Sequence, residues 1–269
     1  MSENTVITAE HVSGGYGTQP VWNDATFSIG KGEFITVLGP NGSGKTTLFR
    51  LLLGLLRPSA GALSVLGTSP SRGDARIGYV PQRHEIDRDT NIEAREFVKL
   101  GRIGTRWGIG RPEEGAREAE EALALVGAEK LAHTPLSRMS GGELQRIFLA
   151  QALVSDPKLL LLDEPLANLD IRREADLVNL IARIARERGV TVLLIAHNVN
   201  PLLPVTDRVL YIANRTIEIG TPDTVLTSAA LSRLYGVPVE VLRDSHGRIA
   251  VIGIEESGLH NHEHDRSHD

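Results

Sequence analysis

Short runs of apolar residues alternate along this chain with longer stretches in which apolar residues recur at helical spacing. Three runs are mainly apolar, as is typical of parallel strands covered on both faces: 33–38, 158–164, which ends in two carboxylates, and 190–196. The stretches between them that predict helices are 47–53, 140–154 and 171–187. This alternation indicates an α/β fold built on a mostly parallel sheet.

Shorter strands are predicted in the rest of the chain, at residues 5–12, 20–29, 62–66, 76–80, 208–212 and 216–219. A glycine-rich turn at 13–17 separates the first two strands, and the last two form a hairpin. A helical stretch at 224–235 then leads to a second hairpin, in which 237–242 pairs with 249–254. We therefore expect an antiparallel β part beside the parallel sheet.

The pattern becomes helical between residues 87 and 148, where a glycine-rich loop at 101–111 separates predicted helices at 90–100 and 113–126. A helical subdomain inserted into the α/β core is the simplest interpretation. The expected divisions are a first core part (1–86), the helical subdomain (87–148), a second core part (149–236), a C-terminal hairpin (237–254) and a disordered His-rich tail (255–269).

Composition narrows the classes of function. The 269 residues carry 29 basic and 34 acidic side chains, a net charge of −5, which argues against nucleic acid as a partner. Because the chain has no cysteine, it forms neither disulfides nor thiolate metal sites. The N-terminal residues do not resemble a signal peptide, and no apolar run reaches the ~18–20 residues of a membrane span. Any work at a membrane is thus expected to require a partner.

A phosphate-binding loop is the strongest motif, because residues 39–46 match G-x-x-x-x-G-K-[ST] between a predicted strand and a predicted helix. The residues expected to bind nucleotide are Gly39, Pro40, Asn41, Gly42, Ser43, Gly44, Lys45, Thr46 and Thr47. Glycines let the backbone turn its N–H groups toward phosphates, and the helix directs its positive end at the same anion. Lys45 is expected at the β- and γ-phosphates, and the Thr46 hydroxyl on Mg²⁺. Tyr16 can stack on a flat base, or simply pack beside a turn.

Polar side chains follow the buried strands, where the carboxyl edge of a parallel sheet gathers functional groups. In a phosphate-loop protein, Asp163 is expected to hold Mg²⁺ and Glu164 to polarise the attacking water. His197 can donate to the γ-phosphate, and Gln82 can reach the metal or the water. The alternatives are an acidic strand end that meets solvent and a histidine with a structural role.

A second anion-binding element lies at residues 140–142, where Ser140 is the predicted N-cap of a helix and two glycines follow. One chain needs two phosphate cradles only if they face different nucleotides or serve one nucleotide from two subunits. The second possibility predicts a two-fold homodimer, with ATP held between the Lys45 loop of one copy and the Ser140 loop of the other.

In this order, the elements resemble the ATP-binding subunit of an ATP-binding cassette (ABC) transporter over residues 5–225. The matching parts are the A-loop Tyr16, Walker A at 39–46, the Q-loop Gln82, the signature at 139–143, Walker B at 159–164, the D-loop ending at Asp170 and the switch His197. The resemblance implies a RecA-like P-loop core that hydrolyses ATP with Mg²⁺. It assigns catalysis to Glu164, His197 and Lys45 and magnesium to Thr46, Gln82 and Asp163. It assigns contact with the partner's nucleotide to Ser140, Gly141, Gly142, Glu143 and Asp170.

Departures from the family pattern are mild. The signature has Met139 for the usual leucine and Glu143 for the usual glutamine, and Asn198 replaces the common aspartate after the histidine. The D-loop begins Ala167-Asn168. The Ser-Gly-Gly segment and Glu164 are intact, so the resemblance still implies hydrolysis.

The subfamily is indicated by three short segments, 80–83 with Asp87 and Thr90, 100–102 and 196–198, which resemble importers of zinc and manganese. Siderophore, haem and cobalamin importers share parts of this pattern. The tail adds His260, His262, His264 and His268, whose imidazoles suit Zn²⁺ or Mn²⁺ unless the tail is only solvated. The resemblance implies that the chain binds membrane-spanning permease subunits and, through them, is associated indirectly with a substrate-binding protein. It also implies a peripheral position on the cytoplasmic face of the cell membrane.

Two other classes of function remain open at this stage. Soluble ABC ATPases that act on ribosomes or DNA usually carry two cassettes or a coiled-coil insertion, whereas this chain has one cassette. A metal-buffering protein with a degenerate ATPase is disfavoured by the intact Lys45, Asp163, Glu164 and His197.

Overall fold

In a computed structural model, residues 4–16, 19–82, 91–103, 115–167 and 169–252 are described. The strands of these ranges are, in chain order, β1 (Thr5–Tyr16), β2 (Gln19–Gly30), β3 (Phe34–Leu38), β4 (Ala60–Val65), β5 (Ile77–Val80), β6 (Leu159–Asp163), β7 (Thr191–Ile195), β8 (Arg208–Ala213), β9 (Thr216–Gly220), β10 (Glu240–Arg243) and β11 (Ile249–Ile252). The α-helices are α1 (Lys45–Leu52), α2 (Ala94–Ile103), α3 (Ala116–Leu125), α4 (Gly141–Leu153), α5 (Ile171–Arg188), α6 (Pro222–Val225) and α7 (Ser228–Tyr235). Short 3₁₀ turns at Glu129–Leu131 and Leu136–Arg138 lead into α4.

A six-stranded sheet in the order β5-β6-β7-β3-β8-β9 forms the centre of the fold. Its strands are parallel except for β9, which returns antiparallel to β8. Every residue of β3, β6 and β7 is buried, as expected for strands covered on both faces. The predicted α/β class with an antiparallel part is confirmed. The parallel arrangement places the ends of β3, β5, β6 and β7 at one edge.

The antiparallel part is a three-stranded sheet in the order β2-β1-β4. Side chains of this sheet share a core with α1 and one face of the central sheet; its largest members include Trp22, Phe49, Ile7 and Ile29. The predicted turn at 13–17 is wrong for residues 13–16, because β1 continues to Tyr16 through irregular pairing with β2. His11 and Asp24, which lie at these irregularities, have positive φ angles of 53° and 51°.

Helices α2, α3 and α4 pack on each other through small and aliphatic residues, including Ala94, Ala119 and Ile147. The rings of Phe97 and Phe148 join α2 to α4, with centroids 4.9 Å apart. Helix α2 begins later than predicted, at Ala94, because the chain before it pairs through Glu93 with Pro135 in a β-bridge. Helix α2 also includes residues 101–103, which were predicted to begin a loop at 101–111, and the rest of that predicted loop lies outside the described residues.

The C-terminal part differs from its prediction in two respects. The helix expected at 224–235 is two helices, α6 and α7, and the hairpin strand expected at 237–242 begins at Glu240. The side chain of Thr227 accepts a hydrogen bond from the Ala230 N–H (3.2 Å) and so starts a second helix. The predicted hairpin is present as β10 and β11, and residues 253 and 254 lie outside the description. No helix among the described residues is long and apolar enough to cross a membrane.

Candidate nucleotide site

The phosphate loop follows β3, and two of its glycines have backbone shapes and close neighbours that disfavour any side chain. Gly39 and Gly44 have φ angles of 145° and 100°. A Cβ atom on Gly39 would lie 2.1 Å from the Ile212 carbonyl oxygen, and one on Gly44 would lie 2.7 Å from the ring of Trp22. The indole of Trp22, only 1 % exposed, also donates to the Gly44 carbonyl oxygen (3.4 Å). The loop is thus supported from behind by β2.

Lys45 is the first residue of α1 and lies buried within this loop. Its Nζ donates to the carbonyl oxygens of Gly39 (2.8 Å) and Pro40 (3.0 Å). The pKa of this ammonium group is lowered, because the effect of burial outweighs that of the nearby Glu164 and Asp163 carboxylates, which raise it. The side chain is therefore a cation held across the loop by two oxygens that a phosphate can replace.

Asp163, the last residue of β6, is the most unusual carboxylate of the site. It is 2 % exposed, and its Oδ1 has no hydrogen-bond partner among the described residues. Burial and the adjacent Glu164 raise its pKa to about 6, whereas hydrogen bonds with Thr46 and Tyr79 and the charge of Lys45 act in the opposite direction. A buried carboxylate with a free oxygen beside a threonine hydroxyl fits the oxygen donor set that Mg²⁺ prefers.

Glu164, Gln82 and His197 meet at one oxygen. The Gln82 amide nitrogen donates to Glu164 Oε2, and His197 Nε2 lies 2.8 Å from the same atom. Glu164 has a positive φ angle of 52°, which is uncommon for a residue other than glycine, and its N–H donates to the Ile195 carbonyl oxygen (3.1 Å). This backbone shape directs the carboxylate toward the edge where the polar residues following β5 and β7 lie.

The signature loop lies at the start of α4 and is stabilised by hydrogen bonds between its own residues. The Glu143 Oε2 atom accepts hydrogen bonds from the Ser140 N–H (2.8 Å) and the Ser140 hydroxyl (2.7 Å). These contacts lower the pKa of the Glu143 carboxyl group. A Cβ atom added to Gly141 or Gly142 would have no neighbour within 4 Å. The loop opens on a cavity of about 230 Å³ that Ser140 and Gly142 share with Leu169 and Arg173.

Asp170 is the N-cap of α5, and its side chain accepts a hydrogen bond from the Arg173 N–H (3.0 Å). The next residue, Ile171, is 87 % exposed. The Gln145 side chain donates to the Pro165 carbonyl oxygen and so links α4 to the segment after β6. Asp170 therefore lies on the same side of the molecule as the cavity next to Ser140, to which Leu169 contributes.

The structure brings Lys45, Thr46, Gln82, Asp163, Glu164 and His197 together around the ends of β3, β5, β6 and β7. By contrast, the hydrogen bonds of Ser140 stay within its own loop. The side chain of Tyr16 and the tail residues His260, His262, His264 and His268 lie outside the described residues, as do Asp87, Thr90 and Asn168. No group of three or more His, Asp or Glu side chains among the described residues could hold a metal ion.

Two residues that contact the site were missed by the sequence interpretation. Trp22 supports Gly44, and Tyr79 reaches Asp163 while its ring packs edge-on against Phe49 at 6.5 Å. Burial, followed by the Asp163 charge, raises the pKa of Tyr79 to about 12, so its hydroxyl remains a proton donor. A rare aromatic residue inside a strand was the available signal in both cases.

Comparison with known proteins identifies the family. The model of the ABC transporter family matches residues 22–167, more than half of the chain. The chain belongs to the ABC transporter family. The matched range contains the phosphate loop, Gln82, the signature loop and both strand-end carboxylates. The predicted membership and the predicted ATPase class are confirmed.

Relatives span nearly the whole chain. The zinc import ATP-binding protein ZnuC of Yersinia enterocolitica is 32 % identical over 268 residues, which cover 99 % of this chain and 94 % of the relative. A solved inward-facing structure of a putative metal-chelate type ABC transporter gives a TM-score of 0.79 at 26 % identity, covering 93 % of this chain and 98 % of its own. The cbiO1 protein of Clostridium perfringens, part of the ABC transporter complex cbiONQ, gives 0.73 at 27 % identity, covering 86 % and 94 %. This chain, as a member of the same family, is thus the ATPase subunit of a transporter complex.

Proposed function

We propose that this ATPase drives the import of a divalent metal cation, and that zinc is its cargo. The observation that carries the ATPase part is the meeting of Lys45, Asp163, Glu164 and His197 at one sheet edge. The likeness to ZnuC over nearly the full chain supports zinc in preference to manganese. The likeness to a metal-chelate transporter supports a second candidate, the import of a chelated metal.

The described residues suit phosphoryl transfer to water. Lys45 exchanges its two carbonyl partners for phosphate oxygens, and Glu164 accepts the proton of the attacking water. Gln82 and His197 hold the Glu164 carboxylate in place. Magnesium, held by Thr46, Asp163 and Gln82, would supply positive charge that stabilises the phosphate oxygens.

The active form in this proposal is a homodimer that closes over ATP. At Gly39 and Gly44, backbone or side-chain atoms of the same chain lie too close to leave room for a Cβ atom. Gly141 and Gly142 have no neighbour within 4 Å that requires their small size. Their missing side chains leave room for something outside this chain. A nucleotide on the Lys45 loop of a second copy fits that space, with Ser140 and Asp170 as its further contacts.

Mixing two inactive variants tests the dimer. Lys45→Ala removes the phosphate cation, and Ser140→Arg fills the signature loop, so each homodimer has two damaged sites. A mixed dimer has one intact site, and we expect turnover above that of either parent. Turnover equal to the parents, in mixtures that mass spectrometry shows to be mixed dimers, would contradict the shared site.

Permease subunits in the membrane are the expected partners. We propose that this chain binds them from the cytoplasmic face and that a substrate-binding protein delivers the cargo. The decisive measurement is ATP-dependent uptake into vesicles that contain the chain and its permease, with free zinc, free manganese and a chelated metal compared. Uptake of zinc alone is expected, and Glu164→Gln is the control that removes it. Preference for manganese or for the chelate would overturn the cargo and leave the ATPase assignment intact.

A further inference from the structure

The side chain of Asn200 joins the C-terminal hairpin to the segment that follows His197. Its Nδ2 donates to the Ile249 carbonyl oxygen (2.9 Å), and its Oδ1 accepts from the Ile249 N–H (2.7 Å). This pair of hydrogen bonds occupies the main chain of β11 on the side away from β10, in the way that a neighbouring strand would. Ile249 is buried, so the contact is an internal joint of the fold.

The same side chain holds the residue next to His197. Asn198 Oδ1 accepts hydrogen bonds from the Asn200 N–H and from Asn200 Nδ2, both at 3.0 Å. His197 in turn lies 2.8 Å from Glu164 Oε2. The hairpin is therefore connected to the carboxylate of the candidate site through Asn200, Asn198 and His197.

We propose that Asn200 is a positioning residue, through which the C-terminal hairpin holds His197 at Glu164. The inference rests on the proposed ATPase chemistry and adds to it a part of the chain that lies beyond the matched family range of 22–167. His197 is half exposed, so its backbone must be held by other contacts if its ring is to stay on Glu164.

A two-stranded hairpin has little stability of its own, and the structure shows how this one is retained. Asn200 attaches β11, and immediately before β10 Ser232 of α7 donates to the Val239 carbonyl oxygen (3.2 Å) and accepts from the Val239 N–H (2.9 Å). The two attachments use the same number of hydrogen bonds. Only the Asn200 attachment continues to His197, which makes Ser232 a matched control.

The test compares Asn200→Leu with Ser232→Ala in the full-length chain by steady-state ATP hydrolysis and thermal unfolding. Both variants are expected to unfold at a lower temperature. Asn200→Leu should lower kcat about tenfold at unchanged KM for ATP, because the phosphate loop is untouched. Ser232→Ala should retain the parent kcat. Equal kcat values for the two variants, measured below both unfolding temperatures, would overturn the inference.

Substitutions at Asn198 and His197 separate this inference from the proposed function. Asn198→Leu removes the accepting oxygen and should lower kcat about as far as Asn200→Leu, whereas Asn198→Asp keeps an acceptor and should recover most of the loss. No recovery by the aspartate would also count against the joint. A His197→Ala variant that hydrolyses ATP at the parent rate would instead overturn the role of His197 in the proposed function.

Discussion

The phosphate loop and the signature loop are both glycine-rich turns at the start of a helix, yet they are built differently. In the phosphate loop, Gly39 and Gly44 are crowded by Ile212 and Trp22 and have positive φ angles. In the signature loop, Gly141 and Gly142 have open space where side chains would be, and neither has a positive φ angle. The first loop is complete within one chain, whereas the second has small residues that its own chain does not require.

This difference shows that the surroundings of a glycine indicate why glycine is present at that position. Where backbone or ring atoms approach it, glycine serves the fold, and substitution is expected to affect stability first. Where nothing approaches it and its φ angle is not positive, as at Gly141 and Gly142, its own chain gives no reason for glycine, and we expect a ligand or a partner to give one. Substitutions in the phosphate loop should therefore affect stability, whereas substitutions in the signature loop should affect turnover with little loss of stability. Four measurements test this difference.

The largest effect is expected when a carboxylate near Lys45 of the phosphate loop is compared with one in the signature loop. Glu164→Gln should lower ATP turnover by roughly 10²–10⁴-fold, since an amide cannot accept the proton of water. The matched change Glu143→Gln should leave turnover within about threefold of the parent, because an amide oxygen can still accept from Ser140. Both are measured by phosphate release. Parent-like turnover in Glu164→Gln would show that the base lies elsewhere.

The second measurement compares glycines by urea unfolding. Gly39→Ala should lower the free energy of unfolding by at least about 3 kcal/mol, because its Cβ would lie 2.1 Å from a carbonyl oxygen. Gly141→Ala should change it by less than about 1 kcal/mol, on the stabilising side, since alanine favours a helix. Turnover should nevertheless fall in Gly141→Ala. A loss of stability at Gly141 as large as at Gly39 would remove the distinction between the loops.

Asp163→Asn should raise the stability of the nucleotide-free protein. Because folding raises the Asp163 pKa from 3.8 to about 6, the folded state binds this proton more tightly, and stability is lost as pH rises through about 6. The amide escapes this loss, so the variant should gain about 1–2 kcal/mol at pH 8 and nothing below about pH 4. Unfolding curves at pH 4 and pH 8 give the comparison. Equal stability at pH 8 would contradict the raised pKa of the buried Asp163 carboxyl group.

The smallest effect concerns Glu143, whose pKa is shifted in the opposite direction. Since folding lowers the Glu143 pKa, its hydrogen bonds to Ser140 contribute stability that is present above pH 4.5 and is lost as pH falls through the folded-state value. Glu143→Ala should therefore cost about 0.5–1 kcal/mol near pH 7 and less in acid. The same unfolding experiment measures it. A cost that grows as the pH falls would contradict the assigned direction.

Much of this site could be predicted from the sequence because its chemistry lies in local patterns. The spacing of Gly39, Gly44 and Lys45 predicts a turn between a strand and a helix, and the apolar run before Asp163 is typical of a buried strand. The sequence could not show that Glu164 has a positive φ angle or that Trp22 supports Gly44. Those features depend on contacts between strands that are far apart in the chain.

The errors have the same origin. A glycine-rich segment at 13–17 has the local properties of a turn, but pairing with β2 keeps it extended as far as Tyr16. The hydrophobic period of 224–235 suits a single helix, but the Thr227 hydroxyl competes with the helical backbone and starts a second one. The role proposed for Asn200 depends on Ile249, a residue 49 positions away, and no short sequence pattern predicts a contact between residues so far apart.

The position of Trp22 makes nucleotide binding visible to fluorescence. Its indole is shielded from water and hydrogen-bonded to the carbonyl oxygen of Gly44, so a change in the phosphate loop reaches an intrinsic emitter directly. The chain has one other tryptophan, Trp107, and replacing it with phenylalanine would leave Trp22 as a single probe. A titration of that variant with ATP would then follow the filling of the loop itself, without a label and separately from the hydrolysis step.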